Sequence, residues 1–367
     1  MIGRKNSRRF SFGWSMSLAA TMNLALISGC SSVGPPALDR DRLDYSNAIT
    51  SSWQRQMLLN IVKLRYGDTP FFLEVSSVIN QYTVEASGGI GVTPGGRQDD
   101  NSIGVGGSYT DRPTVTYAPL AGEAFSQRLL TPVSPVSLFA LVQAGWPVDF
   151  IFRICVRKIN GVANTSSGFL PTDEDPEFEK LIAALLKLQQ SGQMSLKFVD
   201  GGRVQAADED SAVVLIIGEP SAELESELEY ISHTLGLSRP FGSFTITYGG
   251  AASEPNEIAV LSRSALEILM ELSYTIDIPE EDIASGRAKV SRYHDGSSSS
   301  TPPITIVASK SRPESALVAV EYRGTWYSID DRDIMSKYTL TFMLILLNLS
   351  ESGASGMGPV MTLGAGG

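Results

Sequence analysis

From Tyr82 to Tyr117 the chain alternates apolar with small or polar residues at a period of two, broken once by a polar, glycine-rich turn. Tyr82, Val84, Ala86, Gly88, Ile90 and Val92 fall on even positions, and Thr83, Glu85, Ser87, Gly89 and Gly91 on odd ones. After the stretch Pro94 to Asn101 the alternation resumes. Ile103, Val105, Gly107 and Tyr109 face one way, and Ser102, Gly104, Gly106, Ser108 and Thr110 the other. Val115 and Tyr117 carry the apolar set past Pro113. Such a pattern admits strands and excludes helices, and it predicts one long glycine-rich β-hairpin. Eleven residues at about 3.3 Å each and a tilt of ~45° cover roughly 25 Å, the height of a bilayer's apolar band. A lone hairpin has two open edges, so it enters a bilayer only as part of a closed oligomeric barrel. The competing expectation is a hairpin in a soluble sheet with its odd face wet. Either way Tyr82, Val84, Ile90, Val92, Ile103, Val105 and Tyr109 are the candidate partner or membrane face.

Around this hairpin the periodicity switches repeatedly. Ile49, Trp53, Met57, Ile61 and Leu64 recur every three or four residues and predict an amphipathic helix over 43–66, ended by Gly67 and Pro70. Arg55, Lys63 and Arg65 on its other side read as a solvated basic face. Short helices are expected within 119–147, while 148–158 fits strand or helix equally well. Beyond it helices at 176–190, 221–235 and 263–275 alternate with strands at 194–199, 212–217, 242–248, 304–309 and 315–322. The fold class is therefore α+β, a mixed or antiparallel sheet with packed helices, an N-terminal amphipathic helix and the long hairpin. A final helix is expected from Asp330 to about Leu349, with Asp330 and Asp331 at its N-terminal end and Leu344–Leu347 deeply buried.

The chain begins with Arg4, Lys5, Arg8 and Arg9, followed by an apolar run of about twelve residues and small residues before a cysteine. That run is too short to span a bilayer, so cleavage is the expectation. Ile27-Ser28-Gly29-Cys30 resembles the lipobox of bacterial lipoproteins. The resemblance implies cleavage before Cys30 and acylation of that cysteine, hence attachment to a membrane. Arg8-Arg9 lacks the residues that usually follow in a twin-arginine signal, so ordinary unfolded export is expected. Domain boundaries follow: 1–29 signal peptide, 30–41 lipidated tether, 42–147 helix, hairpin and helical segment, 148–350 α+β domain, and 351–367 a glycine-rich tail. In the usual sorting logic of lipoproteins, Ser31 directs the chain to the periplasmic face of the outer membrane.

Loss of the leader moves the formal charge from −11 to −15. An acidic surface is a poor start for nucleic-acid binding, which draws its affinity from basic patches. With Cys30 acylated, Cys155 is the only remaining thiol, and its apolar neighbours mark it as a buried structural residue. Signals for catalysis are sparse. The two histidines, His233 and His294, belong to no metal-ligand spacing, and no G-x-S-x-G elbow occurs. The acidic clusters at 173–175, 208–210 and 330–333 read as solvated loops and caps, with no calcium-loop pattern. No cofactor or metal is expected, and no enzyme activity.

Two further segments carry a resemblance. Leu58 to Asp68 with Phe71–Val75, and Trp326 to Asp333 running into Ser336-Lys337, are similar to the opening and closing segments of a group of uncharacterised bacterial envelope lipoproteins. The resemblance implies envelope placement and no particular activity. The leading expectation is a non-catalytic scaffold or assembly component of an envelope complex, with an envelope protein or sister subunits as partner. The alternative is an oligomeric outer-membrane pore or export channel built from the 82–117 hairpin. A third, an envelope hydrolase, would need two facing carboxylates in a pocket.

Overall fold

The computed structural model describes residues 35–79, 82–92, 101–164, 176–198, 213–219, 221–290, 293 and 302–349. Cys30, most of the leader-proximal tether, the turn at 93–100, His294 and the tail at 351–367 lie outside the described residues. Packing divides the chain into a unit ending at Trp53 and a second beginning at Gln54. The described part of the first unit is helical.

Helix α1 spans Pro35–Arg65. Strands β1 (Phe72–Ile79), β2 (Tyr82–Val92), β3 (Asn101–Asp111) and β4 (Thr114–Leu120) follow. Then come α2 (Glu123–Leu130), α3 (Pro135–Gln143) and α4 (Val148–Cys155), with β5 (Val156–Ile159) and β6 (Val162–Ala163). The next elements are α5 (Pro176–Gln190), β7 (Met194–Phe198), β8 (Val213–Ile217), α6 (Glu225–Leu235), β9 (Gly242–Tyr248) and β10 (Glu257–Ser262). The chain continues with α7 (Ala265–Ser273), α8 (Glu280–Ala284), β11 (Val307–Ser309), β12 (Ala316–Tyr322), β13 (Thr325–Asp330) and α9 (Ile334–Leu349).

The fold is mixed α+β. Its main sheet runs β6-β5-β10-β9-β8-β7 and is antiparallel throughout except between β9 and β10. Val213, Leu215 and Ile217 of β8 are buried while Val214 and Ile216 are only half-buried, as strand alternation over a one-sided core requires. Phe244 and Ile246 repeat this on β9, with Ser243 and Thr245 exposed. The core is closed by Phe178, Leu181, Ile182 and Leu188 of α5 and by Leu228 and Ile231 of α6. A smaller antiparallel sheet, β11-β13-β12, holds buried Tyr327 and Ile329 at its centre.

The ambiguous stretch at 148–158 is helix first and strand second. Residues remote in sequence fix the change. At the start of α4, Gln189 accepts from Val148 N–H at 2.9 Å and donates to the carbonyls of Val142 and Trp146. At its end, Asn164 donates to the carbonyls of Arg153 and Val156, at 2.9 and 2.7 Å. Arg263 donates to those of Arg153 and Ile154, at 3.0 and 2.8 Å. A buried helix end needs such partners, and none of them is local.

The closing helix departs from expectation. Asp330 ends β13 and is gripped by Arg332 through two hydrogen bonds of 3.0 and 2.9 Å. The residue that caps α9 is Asp333, which accepts from Ser336 N–H at 3.1 Å and from its hydroxyl at 2.6 Å. In the Leu344–Leu347 block only Leu346 is buried, and its neighbours are half-buried. The helix therefore lies along the body and is not enclosed by it. Phe342, fully buried, meets Trp146 and Phe150 at ring separations of 5.4 and 5.6 Å.

Candidate functional site

The segment around Tyr66 and the segment around Tyr327 meet in space. Tyr66 follows the last turn of α1, and Gly67, at φ +75°, releases the chain from the helix. The Tyr66 hydroxyl donates to Asp282 Oδ2 at 2.6 Å and lies 2.6 Å from the hydroxyl of Tyr327 on β13. An ionised carboxylate only accepts, so the proton of Tyr66 goes to Asp282 and Tyr327 must donate to Tyr66. Arg287 Nη1 holds the other carboxylate oxygen of Asp282 at 2.7 Å.

A second acid lies nearby. Asp68 accepts from the Tyr322 hydroxyl and from Arg323 Nη2, the latter at 2.8 Å. Arg323 reaches it because the β12–β13 connection is a two-residue turn with positive φ at both Arg323 and Gly324, 52° and 81°. That is the tight-hairpin geometry that matches strand twist. The Arg323 guanidinium also lies over the rings of Tyr66 and Tyr322, at 5.2 and 5.5 Å.

Arg65 corrects the sequence reading of a solvated basic face, for it is buried. Its guanidinium sits over the Tyr274 ring at 4.9 Å and donates to the carbonyl of Lys289. Its pKa falls below the usual arginine value because burial penalises the charge, against the pull of three nearby tyrosines.

Burial and hydrogen bonding shift every acid and phenol of this cluster. Burial, then the hydrogen bond to Asp282, raises the Tyr66 phenol far above its ordinary value. Tyr327 is also raised, chiefly by burial. The bond from Tyr66 and the pairing with Arg287 hold Asp282 below the usual carboxylate range against its burial. Asp68 is lowered by Tyr322 and Arg323. These shifts keep the acids charged and the phenols protonated around neutral pH, the states in which each hydrogen bond of the cluster is made. What the arrangement does is tie residues 65–68, 274–289 and 322–327 together.

Elsewhere Arg153, Asn164, Glu179, Arg263, Glu271 and Tyr293 help line a cavity of about 20 Å³. This is room for one water molecule and not for a substrate. Arg153 and Glu179 pair across 3.0 Å. Cys155 is fully buried and its thiol is pushed up to about 12 by burial. His233 is exposed near the end of α6. Among the described residues no three His, Cys, Asp or Glu side chains converge as metal ligands, and no helix is long and apolar enough to cross a membrane.

The candidate hairpin residues lie on two paired strands, Tyr82, Val84, Ile90 and Val92 on β2 and Ile103, Val105 and Tyr109 on β3. Eleven consecutive residue pairs form an antiparallel ladder without a bulge. Its register sets Val84 opposite Tyr109, Gly88 opposite Val105 and Ile90 opposite Ile103. Directly opposed residues share a face, so the whole candidate set is assigned to one side of the ladder. On the other side Thr83, Glu85, Ser87, Gly106 and Ser108 are exposed. Ser87 donates to the carbonyl of Gly106 at 3.3 Å, and a Cβ at Gly106 would come within 3.0 Å of that hydroxyl. Next along the chain, β1 and β4 form a second two-stranded ladder, with a bulge between Val75 and Ser77. Val115 and Tyr117 are exposed on it. Among the described residues β2 pairs only with β3, so the outer edge of each is open.

Sequence reasoning singled out the segments containing Tyr66, Asp68 and Tyr327. It missed Asp282, Arg287 and Tyr274, which no local pattern connects to α1. A turn it passed over, Asn160-Gly161, was legible: Asn-Gly between strands signals a tight hairpin, and both residues have positive φ, 43° and 90°. Comparison with known proteins returned no matching family model, curated protein or solved structure.

Proposed function

We propose that this chain is a lipoprotein of the bacterial envelope, held by acyl chains on Cys30 at the periplasmic face of the outer membrane. Its role is that of a non-catalytic assembly component whose hairpin engages another polypeptide. The observation that carries this reading is the β2–β3 ladder, with an open hydrogen-bonding edge on each side among the described residues. A two-stranded ribbon is marginal alone in water, and exposed strand edges are natural sites for strand addition. The tyrosine–carboxylate cluster supports a structural role for the body, because its hydrogen bonds join segments as distant as Tyr66, Asp282 and Tyr327.

The test is photocrosslinking in intact cells from Gln98 or Ser108, with mass analysis of the N-terminal peptide. A discrete adduct together with acyl mass on Cys30 is the expected result. A mature chain that begins upstream of Cys30, or a hairpin that crosslinks to nothing, would overturn the proposal.

A further inference from the structure

We infer that the partner of the hairpin is a second copy of this chain, and that a ring of hairpins closes a membrane β-barrel with Glu85 lining a cation-selective pore. The inference rests on the hairpin being the contact element. It adds the occupant and the chemistry of the enclosed space.

The ladder has two outer edges, one on β2 and one on β3, which run in opposite chain directions. Pairing the β2 edge of one copy with the β3 edge of the next continues the antiparallel alternation and leaves an identical pair of edges outermost. Such a head-to-tail interface repeats until the ring closes, so one contact type satisfies every edge. A different partner would cover one edge and leave the other open. Lipid tolerates no open edge, because each unsatisfied peptide group there costs several kcal/mol. A ring of two-stranded units has an even number of strands, and the smallest membrane barrels have about eight, which sets about four copies as the minimum.

Composition and length fit the same geometry. Each strand has eleven residues, about 36 Å along its axis and roughly 25 Å across a bilayer at the usual tilt. The register collects Val84, Val92, Ile90, Ile103 and Val105 at positions of one face, with Asn101 and Asp111 at its two ends where the bilayer interfaces would lie, and Glu85 with Thr, Ser and Gly at those of the other. From Thr83 to Val92 and from Asn101 to Thr110 the only charged residue is Glu85. The lysines and prolines that keep soluble edge strands apart are missing from both stretches. Glu85 lies on the polar face opposite Ser108, and both are exposed. Rotational symmetry would set one Glu85 carboxylate per copy at a single height in the lumen, and a carboxylate ring of that kind selects cations.

The experiment uses the full lipidated chain, extracted in detergent and reconstituted in planar bilayers of phosphatidylethanolamine and phosphatidylglycerol under a KCl gradient. Expected are a multimer of at least four copies by light scattering and conductance steps with a reversal potential favouring K⁺. In Glu85→Gln the multimer should persist while the K⁺:Cl⁻ permeability ratio falls roughly threefold or more. Val105→Asp, on the opposite face, should abolish conductance with an unchanged far-ultraviolet spectrum of the body. A monomer without conductance overturns the inference. So does a channel whose selectivity ignores Glu85→Gln or whose conductance survives Val105→Asp. A monomer that crosslinks from Ser108 to a different envelope protein overturns the ring and leaves the assembly role standing.

Discussion

Removing the hydroxyl of Tyr66 should cost much more than removing that of Tyr327, although the two oxygens lie 2.6 Å apart. In Tyr66→Phe the bond to the Asp282 carboxylate is lost, and hydrogen bonds to charged groups contribute about 1.5–3 kcal/mol. The same substitution takes from the buried Tyr327 hydroxyl its Tyr66 acceptor and leaves it Thr325 as partner, adding up to about 1 kcal/mol. The expected loss is therefore about 2–4 kcal/mol. In Tyr327→Phe, Tyr66 keeps Asp282 and only a neutral bond goes, for about 1 kcal/mol. The double variant removes the Tyr327 hydroxyl together with its Tyr66 acceptor, so it should be about as stable as Tyr66→Phe alone. Urea unfolding of a Cys30→Ser background, followed by tryptophan fluorescence, measures all four chains. Equal costs for the two single variants, or a double variant equal to their sum, would refute the assigned donor order. The pH dependence has a definite sign. Asp282 is depressed in the folded state, chiefly by Tyr66, so its contribution is present above the unfolded pKa near 4 and is lost as pH falls through the folded value. The penalty of Tyr66→Phe should accordingly be largest at neutral pH and shrink below about pH 4.

Three further outcomes can be checked in the same background. Asn160→Ala removes bonds to the carbonyls of Leu235 and Glu257 and to the N–H of Ala259, and places a Cβ-bearing residue without side-chain support at φ 43°. It should destabilise by about 3 kcal/mol in urea titration. Cys155, with its buried thiol raised to about 12, should resist maleimide in the folded chain at pH 7.5 and react only at the rate of unfolding. Arg263→Lys replaces a fork that spans two carbonyls at the end of α4 with a point donor, and a loss of about 2 kcal/mol in the same titration is expected.

The elements whose signal is periodic could be read directly from the chain. Helix α5 lies where Phe178, Leu181, Ile182 and Leu185 recur, and β9 where Phe244 and Ile246 alternate with polar residues. Period and burial are both local properties of the chain, so the α+β class follows from them. Boundaries set by remote partners could not be read. The start of α4 depends on Gln189 and the helix-to-strand change at Cys155 on Asn164 and Arg263, and the N-cap of α9 shifted to Asp333 because Asp330 is committed to β13 and Arg332. Arg65 looked like one more cation on a polar helix face, yet the chain at 274–289 covers it.

The sequence by itself determined that residues 82–92 and 101–111 alternate two chemically distinct sets with only two charges between them, Glu85 and Asp111, because alternation along an extended backbone needs no other part of the chain. Only the tertiary structure decided that Tyr66, Asp282 and Tyr327, up to 261 residues apart, form one hydrogen-bonded chain. Such a cluster depends on where distant segments come to rest, and no local spacing records that.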